Sequence, residues 1–245
     1  VRPDQRSYGF EDLLLRYCHI ELPETGKQAA GQGMLDLGDV GATQGDDAMA
    51  RAAAVATLAA ALDPGAADVL RLLDEVRATG TVSFDPNVRP SITPDRTVVA
   101  ERVAEVARRA DVVKASAEDL AWLHPDRPED AVVAELLDTG PWLVVVTDAG
   151  AGVRWWTAAA PDSPGTRAAR DVDVLDTVGA GDSFMAGLVS GLLDAGLLGA
   201  PRGSAHRGIG ADDTRIVTAI ERGLATSAVT VSRAGAYAPV RTELS

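Results

Sequence analysis

The residues best equipped for chemistry lie between positions 174 and 187, in the run VLDTVGAGDSFMAG. The run reads as a strand ending at Leu175, a glycine-rich turn, and a helix starting near Gly181. In that arrangement the N–H groups of Gly179, Ala180 and Gly181 point out of a helix N-terminus. Free amides and the positive end of a helix dipole make an anion site. Small residues let a phosphate approach the backbone closely. Such a site suits the charge that develops on a phosphoryl group in transfer. Asp182 stands in the first turn of the same helix. Beside an anion hole its carboxylate can take the proton of an attacking hydroxyl. The plainer reading is a favourable N-terminal residue with no part in chemistry. Asp176 and Thr177, on the other side of the turn, fit Asx-turn chemistry.

Other chemistries lack their residues. Gly26-Lys27-Gln28 has neither the hydroxyl nor the earlier glycine of a P-loop, and Gly150-Ala151-Gly152 has no third glycine for a dinucleotide fingerprint. There is no GxSxG elbow for a serine hydrolase. Cys18 is the single cysteine, which excludes an internal disulfide. With only His19, His124 and His206 beside it, a structural zinc set is not assembled, and the histidines read as surface or packing residues. Trp155-Trp156 reads as strand packing and Arg108-Arg109 as a solvated helix end.

The charge balance is 23 basic against 36 acidic residues, a net of −13. Such a chain repels nucleic acid and anionic membranes as a whole. A phosphate-bearing ligand must therefore be held by local devices. The only lysines are Lys27 and Lys114; the preference for arginine reads as composition bias. No apolar run approaches a membrane-spanning length, and the first residues do not read as a signal peptide. A cytoplasmic chain with no nucleic-acid and no membrane partner is expected.

The elements that must position these residues follow from periodicity. The 245 residues, 46% hydrophobic and 24% charged, allow one large domain with a sizeable core. A helix is predicted over 64–79, with Ala67, Leu70, Leu73 and Val76 on one face and Gly80 closing it. A short strand over 81–85 stops at Pro86. A helix over 95–110 buries Val99, Val103, Val106 and Ala110. A strand over 111–114 precedes short helices over 117–123 and 128–138. The apolar run 142–147 is of the buried parallel-strand type. A strand over 152–157, a polar loop over 158–170 and a short strand over 172–175 come next. Helices over 181–196 and 211–232 complete the series. This alternation predicts an α/β fold with a mainly parallel sheet. Residues 1–55 show no clear period apart from a strand candidate at 13–20. They read as an atypical, partly irregular segment preceding a core over 56–245.

Asp176-Thr177-Val178-Gly179-Ala180-Gly181-Asp182-Ser183-Phe184 resembles the C-terminal signature of the PfkB (ribokinase-like) carbohydrate kinases. Residues 83–90, SFDPNVRP, resemble the FDPNxRP turn of the family's fructokinase-like branch. Residues 57–65 resemble the segment leading into that turn. Residues 113–119 occupy the place of the NxxE region, 144–152 resemble the nucleotide-contacting TxGxxG stretch, and 231–236 resemble the closing Gly-Ala turn. The resemblance spans roughly residues 56–240.

It implies a ribokinase-like three-layer α/β/α fold with a mainly parallel central sheet. It also implies transfer of the γ-phosphate of ATP to a primary hydroxyl of a small sugar. Fructose is the first candidate, with 2-keto-3-deoxygluconate or ribose as alternatives. Asp182 takes the place of the catalytic base, and the amides of Gly179, Ala180 and Gly181 that of the anion hole. Thr147, Gly150 and Gly152 lie where the nucleotide is gripped, and Thr226 stands where many relatives carry Asn near the adenine. Ser116 and Asp119 stand for the Asn and Glu that organise Mg2+. Asp176, Ser232 and Gly235 fall near a monovalent-cation (K+) site, and Asn87 and Arg89 can face the sugar.

The sequence also departs from the family. Ser116 and Asp119 are shorter than Asn and Glu. The TxG tripeptide reads Thr147-Asp148-Ala149, with glycine displaced to 150, and Gly150 and Gly152 also fit a plain hairpin turn. The family's first glycine-rich signature, early sugar-binding Asp, GGN motif and lid strands are not found, although Tyr8-Gly9-Phe10 faintly resembles the lid-return strand. A missing or incomplete lid is therefore expected, with an inactive, truncated kinase remnant as the alternative reading. Family dimers often pair through the lid, so a monomer or weak homodimer is expected.

Overall fold

The computed structural model describes residues 53–56, 65–91, 93–199 and 208–244. The expectations for residues 1–52, including the irregular segment and the lid, lie outside the described residues, as does most of 57–65. In chain order the elements are β1 (Ala53–Ala56), α1 (Gly65–Val76), β2 (Val82–Asp85), α2 (Arg96–Ala107), β3 (Val112–Ser116), α3 (Ala117–Leu123) and α4 (Glu129–Thr139). Then follow β4 (Leu143–Asp148), β5 (Gly152–Thr157), β6 (Ala160–Arg167), α5 (Ala180–Asp194) and α6 (Thr214–Val231).

The six strands form one sheet in chain order. Strands β1 to β4 run parallel, each crossover carrying one or two helices, and β5 and β6 add an antiparallel edge. Side chains alternate across the sheet, so each central strand feeds two cores. Val144 and Val146 of β4 pack with Leu73 of α1, Val103 of α2, Leu120 of α3 and Val133 of α4. Leu143 and Val145 face the other way, against Phe184 and Leu188 of α5 and Ile216 and Ile220 of α6. These two apolar faces explain the near-continuous valine run, and they make the three-layer α/β/α arrangement. Among the described residues no helix is long and apolar enough to cross a membrane.

Three expectations are corrected. Residues 158–170 are not a loop throughout: β6 pairs with β5 along Ala160–Arg167. Its residues are exposed or half-buried, and it contains Pro161 and Pro164, which an edge strand tolerates. No apolar face was present to reveal it. Residues 172–175 form no strand. The amides of Leu175 and Asp176 instead donate to the Val231 carbonyl at the end of α6, 2.7 and 3.2 Å away, and Val174 and Leu175 are left exposed. Helix α1 buries Ala66, Val69 and Leu73 rather than a face containing Ala67, which is exposed.

Candidate active site

The site grows from the carboxyl ends of the parallel strands, where open α/β sheets bind ligands. Strand β2 ends at Asp85 and turns through Asn87, a non-glycine residue at φ 40°. The Asn87 amide donates to Asp85 Oδ1 at 3.2 Å. The following Val88 amide donates to Asp119 Oδ1 at 2.9 Å. Asp119 Oδ2 accepts from the Ser116 amide at 3.1 Å, and Ser116 Oγ accepts from the Asp119 amide at 3.0 Å. Ser116 and Asp119 thus form the capping box of α3. The buried Asp119 carboxylate also ties the turn after β2 to that helix. Arg89 is exposed at the same turn, its Nη1 donating to the Val88 carbonyl at 3.2 Å.

Thr147 lies beside Ser116 in the β3–β4 register, its Oγ1 3.4 Å from the Ala115 carbonyl oxygen. Beyond it, residues 149–151 turn the chain into β5, with Asp148 paired to Gly152. Gly152 adopts φ 110°, and a Cβ there would overlap the Arg167 carbonyl. Gly150 faces open space. Close backbone approach therefore accounts for Gly152 as a hairpin glycine and does not account for Gly150.

Gly179, at φ 79°, is the N-cap of α5, with Ala236 3.1 Å from where its Cβ would stand. The Ala180 amide donates to the Thr177 carbonyl at 3.2 Å and so closes the turn rather than facing outward. Gly181 lies in the first turn, where a helix offers its amides no acceptor. Asp182 is exposed beside it. Asp176 holds the turn from behind, Oδ1 accepting from Val178 at 3.0 Å and Oδ2 from Gly235 at 2.9 Å. These amides hold its carboxyl below the usual carboxylate range. Asp176 and Gly235 are thereby brought together. The Ser232 hydroxyl turns onto the Val229 carbonyl at 2.8 Å. Thr226 is buried between α5 and α6, against Gly187, its hydroxyl 2.9 Å from the carbonyls of Arg222 and Gly223.

Two residues that sequence reasoning passed over complete the floor. Lys114 Nζ lies 2.8 Å from Asp85 Oδ2, and their side chains are 5% and 14% exposed. The same ammonium lies 3.0 Å from where a Cβ on Gly181 would stand, directly under the first turn of α5. Burial pushes the Asp85 carboxyl upward, Lys114 draws it back, and Asp119 and Asp182 push it up again. Asp85, Asp119, Asp182 and Lys114 thus form one electrostatic cluster. The available signal was a lysine inside the strand VVKAS, whose neighbours are buried, since a buried charge requires a partner.

Comparison with known proteins matches this arrangement. The model of the pfkB family of carbohydrate kinases covers residues 36–243. A fructokinase from Rhizobium leguminosarum bv. trifolii is 39% identical over 121 residues, which are 49% of this chain and 36% of that protein. A fructokinase from Klebsiella pneumoniae is 34% identical over 145 residues, 58% of this chain and 46% of that one. The chain therefore spans less than half the length of either relative. The fructokinase of Vibrio cholerae O395, solved with fructose, ADP and calcium, superposes with a TM-score of 0.65 at 26% identity. That match covers 79% of this chain and 59% of that chain. With the glycine turn, the acidic first helical turn and the sheet order all in place, the chain belongs to the pfkB family of carbohydrate kinases.

Proposed function

We propose that the chain is the phosphate-transferring core of an ATP-dependent sugar kinase, with fructose as the first substrate to test. The observation that carries the reading is Asp182 on the first turn of α5, next to Gly181 and close enough to Asp85, the last residue of β2, to act on its charge. The attacking sugar hydroxyl forms a bond to the γ-phosphorus of ATP. The bond from that phosphorus to the bridging oxygen breaks, and its electrons leave with ADP. The hydroxyl proton passes to Asp182. The α5 N-terminus stabilises charge on the transferring group, so most of the rate comes from positioning and electrostatics.

In this reading the nucleotide lies along the ends of β3 and β4 near Thr147, with Gly150 free to face it. The turn carrying Asn87 and Arg89 faces the sugar. The kinase core takes in β1, whose residues pair with β2 from Ala53 onward, and the family match opens earlier, at residue 36. Mg2+ would arrive on the nucleotide phosphates and supply charge neutralisation. Among the described residues no three His, Cys, Asp or Glu side chains form a metal cluster. An ion held mainly by phosphate oxygens and water would have Ser116 and Asp119 to organise it. Asp176, Ser232 and Gly235 are the residues proposed for K+, and Thr226 is proposed to stand near the adenine.

The test is a coupled ADP-release assay on the 245-residue chain with ATP, Mg2+ and K+. Fructose, ribose and 2-keto-3-deoxygluconate are supplied separately. Sugar-dependent turnover is expected, strongest with fructose. The share of its relatives that the chain covers favours a second reading, a chain that binds nucleotide without turnover. ATP binding without ADP release under any sugar would select it.

A further inference from the structure

We propose that Lys114, aimed by Asp85 at the first turn of α5, is the cation that balances the transferred phosphoryl group. The proposal deepens the phosphotransfer reading and rests on it. Asp85 is a fixed post: Oδ1 accepts from the Asn87 amide and Oδ2 from Lys114. The ammonium it holds lies beneath Gly181.

Two physical arguments say that this placement does not serve stability. A helix N-terminus favours anions and opposes a cation beside it. A buried ion pair is often no better than apolar residues of similar volume, and the neighbours Val112, Val113 and Ala115 show that this strand accepts such residues. An ammonium packed against a helix N-terminus is reconciled when an anion lies alongside and touches both. A phosphoryl group in transfer carries its charge on equatorial oxygens, and fixed cations stabilise it there. The proton of the sugar hydroxyl goes to Asp182, and none goes to Asp85 or Lys114. Lys114 is then a catalytic residue and Asp85 its positioning residue.

The experiment compares K114M, D85N and the double variant K114M/D85N with the unmodified chain. It reads kcat and KM for fructose-dependent ADP release, affinity for ADP and for ADP with aluminium fluoride, and the urea midpoint. Loss of Lys114 should lower kcat by about 100-fold, the scale of one preorganised transition-state contact. Affinity for ADP with aluminium fluoride should fall in step, while affinity for ADP alone stays within about threefold. D85N should lower kcat by about tenfold with little change in KM, an order-of-magnitude allowance for a misaligned contact. The double variant leaves neither charge orphaned and should keep the wild-type midpoint.

Near-normal kcat in the double variant overturns the role of Lys114 while leaving the phosphotransfer reading intact. Equal loss of affinity for ADP and for its fluoride complex also overturns it, as does failure of the double variant to fold, since either marks a structural pair. No sugar-dependent turnover in the unmodified chain overturns the phosphotransfer reading and this role together.

Discussion

Asp182 is exposed on the first turn of α5, and the proposed mechanism uses its carboxylate as the base. Asp182→Asn removes the proposed base and keeps the shape. Turnover should fall by about 10²–10⁴-fold, while ATP affinity measured by calorimetry stays nearly unchanged; turnover close to normal would refute the assignment. His124, at the end of α3, is a separate case. Burial lowers its pKa from 6.5, Arg127 lowers it further, and Glu135 partly opposes them. The unfolded chain therefore takes up the proton first as pH falls. Stability from this residue is complete above the unfolded value and declines as pH drops through it toward the lowered native value. His124→Gln should flatten the urea midpoint between mildly alkaline and mildly acidic pH; an unchanged slope would show that the burial has no thermodynamic weight. Asp182 was legible from its neighbours in sequence. Ser116 and Asp119 cap α3 as well, and Ser-x-x-Asp before a helix is the pattern that encodes it.

At the scale of elements, the hairpin between β4 and β5 separates two glycines that looked equivalent in sequence. Gly152→Ala forces a side chain into a positive φ and against the Arg167 carbonyl. It should destabilise the fold by about 1–3 kcal/mol. Gly150→Ala enters open space and should change stability by less than about 0.5 kcal/mol. If Gly150 faces the nucleotide, that variant should still raise the KM for ATP. An unchanged KM would leave Gly150 as a turn residue only. Strand β5 was legible because a β-rich run opens at Gly152. Strand β6 was not. It carries no alternating apolar face, and its place depends on pairing with β5 and on Gly165 admitting the Trp155 indole, which a Cβ would overlap. Residues 172–175 failed in the opposite sense. Their β-rich composition suggests a strand, but the adjacent amides of Leu175 and Asp176 are taken up by the end of α6.

For the whole molecule, one sheet serves two cores, one under α1 to α4 and one under α5 and α6. Leu73 and Leu188 are both fully buried, on opposite faces. Leu73→Ala and Leu188→Ala should each cost about 2–5 kcal/mol, and each should shift the same urea transition whether followed by circular dichroism or by tryptophan fluorescence. Separate transitions would show that the two faces unfold independently. The α/β alternation, the parallel valine strands and the Gly179–Asp182 turn are encoded locally in the chain. These depend on period, caps and backbone freedom within a few neighbouring residues. Which distant groups meet depends on the folded packing. Lys114 finds Asp85 across 29 residues, and Asp176 finds Gly235 across 59. Thr226, expected near the adenine, is buried between two helices. Contacts of that range leave no periodic trace in the chain, because they are fixed by strand register and helix packing rather than by neighbouring residues.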